Sequence, residues 1–359
     1  MITIDGSYGE GGGQILRSSL TLAVLTGQAV KLTNIRAKRS KPGLRPQHLT
    51  AVRAAARLCN ANVESAALNS QSLTFTPQSP PQPGVYVFDV NDAATYASAG
   101  ATTLILQTVL LPLALAPGPS RVTLLGGTHV PMSPPAIYLE QVYLPILFEM
   151  GIRAHLNHQT WGFAPAGGGK LEVEITGGSR LQPLDLSERG AMRDVNGLAF
   201  ASELPPHIPQ RMSDHATTVL RQAGCPHVTI KARQVPAGSI GTGIFLLARY
   251  KSATCPGGAR AGFDALGRRG LPAEQVAETA CHDLLNHHRT GAAVDPHLAD
   301  QLALPFALAG GVSRARVSRI TQHLITNLWV IRQFGLADVR MDGQEGEPGA
   351  ITVGTSTAD

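Results

Sequence analysis

Two histidines carry the chemistry that can be read first from this chain. His48 and His323 each stand inside a Gln-His-Leu triplet, and each is followed twelve positions later by a helix-ending residue, Asn60 in one case and Gly335 in the other. Residues 47–60 and 322–335 are therefore two versions of one segment, and the histidines occupy the same place in a repeated unit. Thr321, a capping type of residue, precedes the second triplet and puts His323 in the first turn of a helix. The positive end of the helix dipole disfavours imidazolium there. It favours neutral imidazole, which has a lone pair for attack, and it stabilises a phosphate attached at that point. The plainer reading is a histidine that caps or packs. Spacing does not say which of the two reacts.

Around them lie residues suited to an anion. In GEGGGQILR, Gly11, Gly12 and Gly13 join a strand to a helix, so bare backbone N–H groups at a helix start can approach a phosphate. Neither GK[ST] nor G-x-G-x-x-G is present, so neither standard phosphate fingerprint applies. Glu10 beside this loop is placed to bind a divalent cation that accompanies phosphates, or to be a turn residue. Arg36, Lys38, Arg39, Lys41 and Arg45 fall within ten residues without a carboxylate, with Arg53 and Arg57 following. The plainer alternative is a solvated loop, but the Pro-Gly and Arg-Pro steps of KPGLRPQHL stiffen the stretch, which favours a built site over a floppy basic tail. Gln14, Gln47, Gln107 and Gln301 fall on or beside apolar helical stripes, where an amide needs a partner or a polar cleft. The small-residue turns at Ser98–Ala101, at 126–128 and in AGGGK (166–170) suggest that several helix starts converge on one anionic ligand, although repetition of a fold alone also produces such a pattern.

A repeat must position these residues. LTLAVLTG to Gly27, LPLALAPG to Gly118 and LPFALAGG to Gly310 are three versions of an apolar helix and its terminus. Gly27 to Gly118 and Asn60 to Gly151 are each about 91 residues apart, and the next steps are about twice that, so the third copy holds extra chain. Each copy reads strand, helix, strand, helix, strand, with KLEVEIT opening the third. The expected fold class is α/β (α+β), with three βαβαβ-type units in residues 1–183 and 289–359 and a small α/β domain inserted at 184–288.

Composition sets the bounds. With 359 residues, 43% of them apolar and 15% charged, the chain can bury a large core. The longest apolar stretch, 102–117, is broken by Gln107 and Pro112 and is shorter than the ~20 residues of a bilayer span. The amino terminus has no basic head followed by an apolar run, so a cytoplasmic location is expected. Cys59, Cys225, Cys255 and Cys281 are scattered, which fits reduced thiols. Cys281, His282, His287 and His288 read as a solvated helix face rather than a zinc site.

Taken in order, GEGGGQILRSSL, KPGLRPQHLTAV, SAGATTLILQTVLLP, GGTHVPMSPP, FAPAGGGK, LADQLALPFALAGG and QHLITNLWVI resemble the RNA 3′-terminal phosphate cyclases, through nearly all of the triplicated body and less closely in the insert. The resemblance implies three units similar to the carboxy-terminal domain of translation initiation factor 3, with a thioredoxin-like domain inserted in the third. It implies ATP-dependent conversion of an RNA 3′-phosphate to a 2′,3′-cyclic phosphodiester, with a divalent cation (Mg or Mn), RNA and ATP as partners, and no obligate protein partner. By the same resemblance His323 is the nucleophile that becomes adenylylated and Glu10 holds the metal. Gln14, Arg17, Arg39, Gln47 and His48 contact triphosphate or RNA phosphate, and Gln107, Pro131, Asp300 and Gln301 line the nucleotide pocket.

This chain departs from the family pattern in two places. His297 stands where some relatives carry an aromatic neighbour of the nucleotide, and Asp264 follows Phe263 where a base-stacking aromatic occurs. A non-catalytic relative acts in ribosome assembly and lacks the nucleophilic histidine, whereas this chain keeps QHLITN. A third reading is an enzyme of small anionic metabolites that shares only its architecture with enolpyruvyl transferases.

Overall fold

A computed structural model of the protein describes residues 1–94 and 98–354. The first part of the chain runs β1 (Ile2–Asp5), α1 (Gly13–Thr26), β2 (Val30–Thr33), α2 (Pro46–Cys59), β3 (Asn62–Glu64) and β4 (Leu73–Thr76). Next come β5 (Val85–Asp89), α3 (Thr102–Leu115), β6 (Ser120–Gly126), α4 (Ala136–Tyr138), a π-helical turn (Leu139–Tyr143), α5 (Leu144–Glu149), β7 (Ala154–Thr160) and β8 (Gly169–Ile175). A two-residue strand, β9 (Asp185–Leu186), precedes β10 (Met192–Ser202), α6 (His207–Gln222), β11 (Val228–Gln234), β12 (Gly241–Tyr250), β13 (Ala259–Leu266) and α7 (Ala273–Thr290). The chain closes with α8 (Pro296–Leu308), β14 (Val312–Val317), α9 (Gln322–Phe334), β15 (Asp338–Asp342) and β16 (Gly349–Gly354).

Three of the four sheets share one order: β1-β2-β4-β3, β5-β6-β8-β7 and β9-β14-β16-β15. In each the first pair is parallel and the other two pairs are antiparallel. Each unit thus has a fourth strand beyond the expected five elements. KLEVEIT was expected to open the third unit, but as β8 it pairs with β6 and β7 and completes the second sheet, while β9 opens the third. The alternation that marks a strand is local. Which neighbour it pairs with is not, and a two-residue strand such as β9 gives no periodic signal at all.

The strands show why one face of each sheet is covered. Along β6 the pattern runs buried, exposed, buried, with Val122 and Leu124 inward. Helices α1, α2, α3, α8 and α9 pack on one another against those inward faces, α1 touching α2, α3 and α9. Helices α1, α2 and α9 all end in a left-handed residue, Gly27, Asn60 and Gly335, whose N–H closes the last turn.

The fourth sheet, β11-β10-β12-β13, carries α6 and α7. Its α7 buries Val276, Ala277, Ala280, Cys281, Leu284 and His287 at helical spacing. Cys281 and His287 were expected on a solvated face, yet both are buried against this sheet. A helix stripe admits a histidine when its ring packs among aromatics, here tilted against Phe263 at 5.4 Å and Tyr250 at 6.0 Å. Burial pushes His287 down to about 3. No described helix is long and apolar enough to cross a membrane.

Candidate active site

The two repeated histidines have different surroundings. Pro46 begins α2, so His48 is its third residue, and its Nδ1 accepts the backbone N–H of Arg45 at 3.2 Å. With that lone pair taken, a neutral ring carries its proton on Nε2, and no nitrogen of His48 keeps a free lone pair. The ring is 5% exposed and faces Gly13, where any Cβ would collide with Nε2 and with Arg17. Desolvation first, then the charges of Arg17, Arg36 and Arg45, hold His48 well below the usual histidine range.

His323 is the second residue of α9. Thr321 caps that helix by accepting the N–H of Leu324 at 3.0 Å. The His323 ring is 42% exposed, and its Nδ1 lies 3.1 Å from Glu10 Oε2. That contact favours the tautomer in which Nδ1 donates, which leaves the Nε2 lone pair free. Desolvation lowers the ring below its ordinary value and outweighs the opposing pull of Glu10, while Arg17, His297 and Arg39 push in the same downward direction. The side chain that is neutral, accessible and oriented is His323.

Glu10 joins the basic loop to this helix, for Arg39 Nη2 sits 3.1 Å from the same Oε2. Both contacts end on Oε2, and Oε1 turns toward Gly12, where a Cβ would strike it. Glu10 therefore retains an oxygen for a hard cation. One carboxylate suits a magnesium-type ion that keeps waters and substrate phosphates as its other ligands, and among the described residues no cluster of three or more His, Cys, Asp or Glu competes for it. Gly9 and Gly11 take positive φ values of 58° and 59°, and Lys38 Nζ donates to the Gly9 carbonyl at 3.0 Å. The glycines and the basic stretch are thus one built corner.

A pocket opens beside it, lined by Gln14, Arg17, Gln107, Tyr143, Asp300 and Gln301 among others. Four separated stretches of sequence meet there on α1, α3, α5's approach and α8. Arg17 is 7% exposed, and desolvation brings its guanidinium down to about 10, so it remains a cation; its Nη2 donates to Gln14 Oε1 at 2.6 Å. Burial raises Asp300 well above the carboxylate range, against the hydrogen bond it accepts from Thr321 Oγ1. Thr321 thus caps α9 and contacts the pocket carboxyl at once.

Other expected residues lie farther out. Gln47 spends its carbonyl on the N–H of Ala101 at 2.9 Å, tying the start of α2 to the start of α3. Pro131 is exposed in the turn after β6 and does not line the pocket. Gly167 and Gly168, expected at a helix start, lie in the connection between β7 and β8, and Gly169 begins β8. They meet Ser98, Ala99, Gly126, Thr128 and Gly238 where side chains would clash, so this run serves close chain packing instead of an anion. On β13, Phe263 turns under α7 to His287, while Gly262 and Asp264 share the opposite face, with Gly262 against the Tyr138 ring. Desolvation lifts Asp264 to about 6, opposed by His297.

Two residues had no sequence signal. Asn327, fully buried on α9 one turn beyond His323, accepts from Ser18 Oγ (2.5 Å) and Gln14 Nε2 (3.1 Å) and donates to the Asp300 carbonyl (2.7 Å). Asp295, also fully buried, caps α8 through the N–H groups of His297 and Leu298 and accepts from Tyr138 Oη and Gly262 N. An asparagine in an apolar helical run is the only hint of the first, and a capping Asp before Pro296 the only hint of the second.

A family model described as RNA 3′-terminal phosphate cyclase matches residues 8–341. The chain belongs to that family. It is 52% identical over 344 residues to the RNA 3′-terminal phosphate cyclase of Nostoc punctiforme, covering 95% of this chain and 96% of the relative. The Methylococcus capsulatus protein of the same name is 53% identical, covering 95% and 93%, and that of Pyrobaculum neutrophilum is 40% identical, covering 93% and 92%. Among solved structures, the enolpyruvyl transferase NikO of Streptomyces tendae aligns at a TM-score of 0.27 and 15% identity over 49% of this chain and 33% of its own. Membership of the cyclase family makes the chain a ligase-type enzyme.

Proposed function

We propose that the chain uses ATP to convert an RNA 3′-terminal phosphate into a 2′,3′-cyclic phosphodiester through an adenylylated His323. The contact of Glu10 with His323 Nδ1 carries this reading, because it leaves Nε2 free beside a glycine loop and two arginines. His323 Nε2 attacks the α-phosphorus of ATP, the N–P bond forms, and the bond to pyrophosphate breaks. Arg17 and Arg39 offer cationic N–H groups to the phosphate oxygens, and Gln14 orients Arg17. AMP then passes from His323 to an oxygen of the RNA 3′-phosphate. The neighbouring 2′-hydroxyl attacks that activated phosphorus and expels AMP, a ring closure that proximity makes easy. A divalent cation, Mg or Mn, would be held by Glu10 and neutralise phosphate charge.

Asp300, Gln301 and Gln107 form the wall suited to the nucleotide, Gln47 and His48 lie on the RNA-phosphate side, and Pro131 stays an outer candidate for the nucleotide. The like-ordered sheets support reading residues 1–183 and 289–359 as three units similar to the initiation factor 3 carboxy-terminal domain. The separate fourth sheet with α6 and α7 supports reading 184–288 as a thioredoxin-like insertion, although β9, within those bounds, pairs with β14 in the third like-ordered sheet. A cytoplasmic location fits an RNA substrate and unpaired cysteines. A non-catalytic assembly role would need His323 to be vestigial, yet the residue keeps its cap, its carboxylate partner and its free nitrogen.

Incubation with α-labelled ATP and peptide mapping tests this directly. The expected result is an acid-labile, alkali-stable adduct on His323 that transfers AMP to an RNA bearing a 3′-phosphate. A label on another side chain, or none, refutes it.

A further inference from the structure

We propose that the exposed face of Tyr8 is a stacking platform for a base among the 3′-terminal nucleotides of the RNA, an inference that rests on the cyclase reading. Tyr8 is 37% exposed in a chain with few aromatic residues. Its other face lies on Trp329, ring centroids 4.1 Å apart and planes 11° from parallel. A lone exposed ring needs no explanation, but this one is held from beneath by Trp329 and its backbone is fixed on either side. Tyr8 N–H donates to the Asp5 carbonyl, Gly11 N–H donates to the Tyr8 carbonyl at 3.0 Å, and Lys38 fixes Gly9. The ring is therefore ordered before any ligand arrives, which reduces the entropy lost on stacking.

Its position on the site follows from helix geometry. On α9, Gln322, Thr326 and Trp329 form one stripe, and this stripe meets the loop of residues 7–9, where a Cβ on Gly9 would touch Thr326 and Gln322. His323 and Asn327 form the adjacent stripe facing α1 and α8. Trp329 lies about 9 Å along the helix axis from His323, within reach of the nucleotides that carry the reacting phosphate. The pocket of Asp300 and Gln301 is on the Asn327 side, so Tyr8 is not on the wall offered to ATP. Exposed Lys38, bonded to the Gly9 carbonyl, flanks the platform, and an aromatic face beside a cation is the combination that holds single-stranded RNA irrespective of sequence.

The test compares two RNAs with a 3′-phosphate, one intact and one lacking its last two bases, in the cyclisation assay. With the native protein, removal of the bases is expected to raise KM about tenfold, the size of one stacking contact. Tyr8→Leu should abolish that difference, and Tyr8→Phe and Tyr8→Trp should keep it, which a merely structural role for the ring would not do. Equal KM values for the two RNAs on the native protein, or a tenfold difference that persists in Tyr8→Leu, overturns the proposal. Should Tyr8→Leu not fold, 5-iodouridine placed at the 3′ end and irradiated with the native protein decides. Cross-linking to Tyr8 supports the platform, and cross-linking only elsewhere refutes it. If no cyclic product forms from either RNA, the cyclase reading itself is what has failed.

Discussion

His48 and His323 occupy matching places in two copies of one helix, and a local cap at the one and a tertiary contact at the other have given them opposite hydrogen-bonding states. One step along the helix separates them: His48 is the third residue of α2, where its ring folds back onto the Arg45 N–H, and His323 is the second residue of α9, where a threonine does the capping. Capping consumes the lone pair of His48. Freed of that task, His323 in the third unit meets Glu10 of the first. A duplicated element becomes a reactive one when something else takes over its structural duty.

The sharpest way to break this comparison is to remove each ring. His323→Ala is expected to abolish the adduct with ATP, a loss on the order of 10⁴-fold or more for a nucleophile. His48→Ala should keep adduct formation within about tenfold and cost roughly 1 kcal/mol in denaturant unfolding, the value of a cap. Reversal of the two results in the labelling assay would sink the argument from lone pairs.

Asp295 tests what supports the third unit. Asp295→Ala leaves four donors without their acceptor in the interior, and an unfolding free energy lower by about 3 kcal/mol is expected from denaturant titration. A change under 1 kcal/mol would mean that water replaces the carboxylate.

Asn327→Ala should have a smaller stability cost, about 1–2 kcal/mol, and a larger effect on KM for ATP than on the maximal rate of adduct formation. The Asn327 side chain bonds to Gln14 and to the Asp300 carbonyl and makes no side-chain hydrogen bond to His323. An effect confined to the maximal rate would show that it acts on the nucleophile instead.

The finest test is pH. His323 lies below 6.5, so the adduct rate should be flat through neutrality and fall only as pH drops through the depressed value and the lone pair is protonated. Glu10 raises His323, so Glu10→Gln should move that acid limb to lower pH. Arg39 lowers it, and Arg39→Met should move the limb up. Shifts with the opposite signs in pH–rate profiles would show that the coupling of Glu10 and Arg39 to the ring has been misread.

Much of the site was legible because its residues are marked by local rules. Thr321 before His323 is a cap signal, three glycines after a strand are a backbone signal, and a basic run stiffened by prolines is a surface signal. KLEVEIT was assigned to the wrong unit because alternation identifies a strand without naming its partner. Gly167–Gly169 resembled a phosphate turn for a similar reason: a glycine reports close approach and not what approaches. Asn327 and Asp295 were silent because a buried polar residue is recognised by its partners, and those partners come from helices and strands far away in the chain.

The sequence by itself determined the helices and the longer strands, the repeat that aligns His48 with His323, and the set of side chains able to handle phosphate, since periodicity, caps and charge runs act over a few residues. Tertiary structure alone decided that the second imidazole is oriented with its Nε2 free. His48 loses its lone pair to a local cap, the Arg45 N–H 3.2 Å away, whereas His323 owes its orientation to Glu10 Oε2 at 3.1 Å. The second contact joins parts of the chain that only folding brings together.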